Sequence, residues 1–147
     1  MAVITHDAKL NDLLVDLGRS LLQYADESWP WAAAGEAAAE QEVRTLAAKQ
    51  REHVARLTDL LVDRGWPIDF GGYPTDYTDL HFLSLDFFLP RLADSQAGVV
   101  AELDEAAHTC IDDPAAVELI RDVLAGEREI AGRLKALATG VRATTAA

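Results

Sequence analysis

The stretch Gly65-Trp66-Pro67-Ile68-Asp69-Phe70-Gly71-Gly72-Tyr73-Pro74-Thr75-Asp76-Tyr77-Thr78 decides how this chain is organised. Its two prolines and three glycines rule out a continuous helix, because proline lacks the backbone donor and glycine favours turns. The segments on either side read as helices of about 30 residues, roughly 45 Å long at 1.5 Å per residue. Fourteen extended residues reach about the same distance at roughly 3.3 Å each. The link can therefore run the length of a helical bundle and start the next helix at the end where the previous one began. A compact loop and a simple up-down bundle are the alternative. Trp66, Phe70, Tyr73 and Tyr77 favour the crossover, since their apolar area needs helices to lie on.

Outward from the link, apolar residues recur at spacings of three and four, and no segment alternates with period two. Helix 1 is expected from about Thr5 to Ala25, with Leu10, Leu13, Leu14, Leu17, Leu21 and Tyr24 on its buried stripe. Asp12, Asp16, Arg19 and Gln23 lie away from that stripe. Ser28 and Pro30 read as N-cap and first-turn proline of helix 2, which continues through Val43, Leu46, Ala47, Val54, Leu57 and Leu61 to Gly65. Helix 3 restarts near Thr75, Thr78 and Asp79 and carries Leu85, Phe88, Leu89, Leu92, Val99, Leu103 and Cys110, with a bend at Pro90. Asp112 or Asp113, followed by Pro114, caps helix 4, whose stripe is Ile120, Val123, Leu124, Leu134 and Leu137. The expected fold is all-α: one four-helix bundle over residues 1–140, with helices 1 and 2 antiparallel, helices 3 and 4 antiparallel, and 141–147 a frayed tail.

At 147 residues the chain is long enough to bury a core without staples. Its 25 acidic against 13 basic side chains, net charge -12, argue against nucleic acid and anionic membranes as partners. No stretch of about 18 apolar residues and no leader pattern is seen, so a soluble cytoplasmic protein is expected. The lone Cys110 sits on the helix 3 stripe and reads as a buried structural thiol. No phosphate-binding glycine loop, nucleophile elbow or zinc spacing is present.

Polar residues that interrupt the stripes are the candidates for chemistry. They are Gln50 and His53 on helix 2, Gln96 on helix 3 and Glu127 on helix 4. Counted from the common end of a crossover bundle, all four fall near mid-height. They are expected to form one buried polar layer that sets helix register, with His53 and Glu127 satisfying each other. His6 is a weaker candidate for the same layer, and Tyr24, Glu36 and His81 for a group at the other end. Glu105-x-x-His108 faces away from the stripe and reads as solvated.

A bundle with one long crossover after its second helix, carrying Gln50-Arg51-Glu52-His53 at mid-helix, resembles the ferritin-like superfamily. That resemblance implies a di-iron position built from a Glu on each of two helices and Glu-x-x-His on the other two. Here the helix 2 pair is Gln50 and His53, the helix 4 pair is Glu127 and Ile130, helix 3 offers Gln96, and helix 1 offers only leucines. One carboxylate cannot balance two iron ions, so ferroxidase or oxygenase chemistry is not expected. Three readings remain, the first two being a non-catalytic module acting by self-association or partner binding, and a protein holding a single iron or zinc ion through His53 and Glu127, with His6 a further ligand candidate. A third is a small-ligand pocket between helices. Val15 and Leu22 on helix 1 and Leu83 and Phe87 on helix 3 project from outer faces and are the expected interface of a homodimer, unless the crossover covers them.

Overall fold

The computed structural model describes residues 4–28, 35–80 and 84–146. All of their regular elements are helical: α1 (Asp7–Gly18), α2 (Leu21–Ser28), α3 (Ala37–Asp63), a 3-10 helix (Thr75–Leu80), α4 (Leu85–Thr109) and α5 (Pro114–Ala146). α1 and α2 together form the first arm of a four-helix bundle. The expected continuous helix from Thr5 to Ala25 is broken at Arg19 and Ser20 and then runs on to Ser28. Ser28 is therefore the last residue of α2 and not the cap of the next helix. Its hydroxyl returns to the Tyr24 carbonyl one turn back at 2.6 Å, the local bond by which serine sits within a helix. Pro30 lies outside the described residues, and α3 begins at Ala37, after Gly35 with its positive φ of 97°.

Two further boundaries differ from expectation. The residues from Thr75 form a 3-10 helix, and the long helix starts only at Leu85. That start keeps Pro90 within the first two turns, where few intrahelical bonds are lost to the missing N–H. At the far end, α5 continues through Gly140 to Ala146; alanine and arginine propagate a helix that is already nucleated.

The link after α3 runs lengthwise, and its contacts climb the first arm in order. Asn11 exchanges two hydrogen bonds with the backbone of Asp69, at 2.9 and 3.0 Å. Arg19 Nε donates to the carbonyls of Phe70 and Gly71, and Tyr24 packs against the rings of Tyr73 and Tyr77 at 5.3 and 5.5 Å. Gly71 is required twice over: its φ is 66°, and a Cβ there would stand 2.6 Å from Val15 Cγ1. α4 then starts beside the beginning of α3, with Leu85 and Phe88 in one cluster with Leu21, Leu22, Val43 and Leu46. A second cluster, around Leu10, Leu13, Leu57, Leu103 and Ile120, fills the other half. The interior thus has two apolar compartments, with a polar belt between them.

Candidate functional site

The belt is built by residues that each helix supplies at mid-height. On α3, Gln50 and His53 are three apart and share a face; Gln50 points to the bundle axis and His53 to the seam with α5. Gln96 comes from α4 and Glu127 from α5. Gln50, Gln96 and Glu127 are at most 1% exposed, while the His53 side chain keeps 15%.

Glu127 is the hub. Its Oε1 accepts from Gln50 Nε2 at 2.7 Å and from Gln96 Nε2 at 2.9 Å, and its Oε2 pairs with His53 Nδ1 at 2.5 Å. Gln96 Nε2 also reaches the Glu127 carbonyl at 3.1 Å. The amide orientations follow from the surrounding partners, because turning Gln50 over would aim its oxygen at a carboxylate. His53 lies against Gly126, where a Cβ would stand 2.5 Å from its Nε2. Glycine before Glu127 is thus what lets the imidazole lie over α5.

The belt extends beyond the four residues expected. Gln50 Oε1 accepts from Ser20 Oγ at 2.6 Å and from Gln23 Nε2 at 3.0 Å. Gln23 also donates to the Ala47 carbonyl and accepts from Arg51, which reaches Asp26 at the surface. Gln23 is therefore buried, against expectation, and so is Leu22, which had been placed on an outer face. Both corrections have one cause. The break at Arg19 and Ser20 resets the helical phase, so a stripe extrapolated from α1 at 100° per residue points the wrong way on α2. Ser20 is the one signal in the sequence for this: a small hydroxyl residue that bonds its own backbone competes with helix continuation.

The remaining candidates fall elsewhere. His6 does not join the belt; it sits at one end of the bundle, with Nε2 2.6 Å from Asp112 Oδ1 and its backbone N–H on Asp113. At that end Arg64 holds Asp113 with two 2.8 Å bonds and Asp7 with a third at 2.8 Å. Asp113, rather than Asp112, is the cap of α5, accepting from Ala116 N–H at 3.3 Å. The Arg64 guanidinium holds the Asp113 carboxyl below the usual carboxylate range.

Tyr24 meets the link tyrosines, and His81 and Leu83 lie outside the described residues. Glu105 and His108 are both exposed. Cys110 is fully buried, and burial pushes its thiol up. Val15 lies under the crossover at Gly71, whereas Phe87 is half-exposed with the Arg91 guanidinium over its ring. Asp16 stands beside Glu102 of α4; partial burial, then that neighbouring carboxylate, pushes it up to about 6.

The donor set does not fit a di-iron centre. It has one carboxylate, one imidazole and two amides that present N–H groups to the carboxylate, and such donors repel a cation. Among the described residues, no three His, Cys, Asp or Glu side chains are grouped to hold a metal. No helix among them is long and apolar enough to cross a membrane. A scan against protein-family models and searches of curated proteins and of solved structures return no match to this chain.

Proposed function

We propose that this protein is a non-catalytic helical bundle of ferritin-like architecture, cytoplasmic, that acts by association with a second copy of itself or with a protein partner. The belt supports the first half of this reading: the only carboxylate within it has both oxygens occupied by protein groups. Nothing in it is left poised for chemistry on a substrate.

The observation that carries association is a grouping of apolar residues at one end. Among the described residues, five large hydrophobics are exposed: Ile4, Val62, Phe70, Phe87 and Ile111. Three of them lie two residues from a member of the ion-pair cluster, namely Ile4 from His6, Val62 from Arg64 and Ile111 from Asp113. Two residues span at most about 7 Å, so the three belong to the same end of the bundle as that cluster. Water-exposed apolar area costs about 25 cal/mol per Å², which a second surface would recover. The homodimer is tested by light scattering and sedimentation at rising concentration. Loss of the dimer on replacing Val62 and Ile111 by Ser assigns it to this end, and loss on Phe87→Glu assigns it to α4. A monomer mass at high concentration excludes self-association.

A single iron or zinc ion at His53 and Glu127 is the second reading, favoured by the partly exposed imidazole beside a buried carboxylate. An ion there must first part His53 Nδ1 from Glu127 Oε2, since the Gln50 and Gln96 amides occupy the other oxygen. Two divalent metals per chain by elemental analysis would contradict the proposal. One ion, lost in Glu127→Gln and raising the melting temperature of the unaltered chain, establishes the second reading.

A further inference from the structure

We infer that the recess between the first arm and α3, at the point where α1 breaks into α2, is a binding site for a small monocarboxylate with a flat apolar body. The recess is about 460 Å³, within the range of small-molecule sites. Leu14, Gly18 and Val54 form its floor, and Phe70 of the crossover forms one wall. Phe70 is half-exposed, and a lodged apolar group would cover its ring.

The charge arrangement names the ligand. Arg19 and Arg51 both line the recess. Arg19 spends Nε on the Phe70 and Gly71 carbonyls and lies over the Tyr73 ring at 5.1 Å. Among the described residues no carboxylate stands within ion-pair distance of it. That is unusual for a half-buried guanidinium in a chain of net charge -12. Arg51 uses only Nη1, on Gln23 and Asp26, and its other nitrogens are open to an acceptor.

Two guanidiniums with unused donors suit one carboxylate, taken by charge-assisted hydrogen bonds. Glu27 and Asp59 also line the recess and balance the two guanidiniums, so preference over phosphate rests on the apolar body that Phe70, Leu14 and Val54 would cover. The wall is pinned by contacts within the protein, since Arg19 holds the crossover and Gly71 packs directly on Val15. This site is independent of the association surface, which is at the end of the bundle.

Phenylacetate is the probe, titrated into the full chain and followed by amide chemical shifts. Saturable binding is expected, with shifts centred on Gly18, Val54 and Phe70. Arg19→Met and Arg51→Met should each weaken it at least tenfold, and 2-phenylethanol and inorganic phosphate should bind at least tenfold more weakly than phenylacetate. Gly18→Leu provides a variant that folds: the glycine has ordinary backbone angles, and a Cβ would meet Val54 at 3.8 Å, a normal contact. It should fill the recess and abolish binding with no fall in melting temperature. Shifts that do not saturate, or binding that survives both arginine substitutions and Gly18→Leu, would overturn the site.

Discussion

Glu127 and Asp113 are the two buried carboxylates among the described residues, one at mid-bundle and one at its end, and each ties helices together by a different chemistry. Glu127 is held by two neutral amides and an imidazole. Asp113 is held by a guanidinium that also reaches Asp7, close enough to water for Arg64 to keep 18% exposure. A carboxylate deep between two apolar compartments has no solvent to fall back on, so the groups it holds lose their best partner with it. At the bundle end, a group that loses its partner can be rehydrated. The same residue type is therefore expected to be worth more in the middle than at the end, and to respond differently to pH.

The largest effect should follow Glu127→Leu, which leaves His53 without its carboxylate, Gln96 Nε2 with only the main-chain carbonyl and Gln50 Nε2 with only a long contact to Gln96. We expect a loss of about 4 kcal/mol from several under-bonded groups at about 1–3 each, whereas Glu127→Gln, which keeps an acceptor, should cost only about 1. Urea midpoints at unchanged slope measure both. Equal losses would show that the belt does not depend on this carboxylate.

Asp113→Ala should cost about 3 kcal/mol, adding a lost cap to a broken ion pair. Because folding lowers the Asp113 pKa, its contribution is present above the ordinary carboxylate value and is lost as pH falls through the lowered one. The gap between variant and unaltered chain should close in acid. If Asp113→Ala costs more than Glu127→Leu, the ranking of middle over end is wrong.

Gly126→Ala sharpens the account of the belt. The added methyl must displace the His53 ring against a helix-propensity gain of about 1 kcal/mol. A small net loss of about 1 kcal/mol is expected, with a clear change in the His53 imidazole signals. Unchanged imidazole signals would mean that glycine is not what positions His53.

The smallest effect reverses the sign. Asp16 is raised to about 6, so it favours folding below its unfolded value of 3.8 and loses that contribution as pH rises through about 6. Asp16→Asn should stabilise the chain at pH 7, by under about 1 kcal/mol because the side chain is largely solvated. The gain should disappear below about pH 4 in a stability-against-pH series.

Gln50, Gln96 and Glu127 were legible because each interrupts an apolar stripe within its own helix, and periodicity alone places such a residue on the inward face. Asp113 was legible as a cap beside Pro114, but its partner was not: Arg64 is 49 residues away, and nothing local marks which arginine will meet it. Val15 and Leu22 show the opposite failure. Both look exposed by periodicity; the first is covered by Gly71 of the crossover and the second is turned inward by the break at Ser20.

The sequence by itself determined the helical class, an interruption after the α3 helix, the cap beside Pro114 and the inward Gln50, Gln96 and Glu127, since these depend on backbone chemistry and on spacings of three and four. Only the tertiary structure decided the path of the crossover, the phase of α2, the inclusion of Ser20 and Gln23 in the belt and the Arg64–Asp113 pairing. Those depend on contacts between distant segments, whose energies exist only after the helices have docked. A single break in one helix rotates every residue beyond it by an amount that no local pattern records.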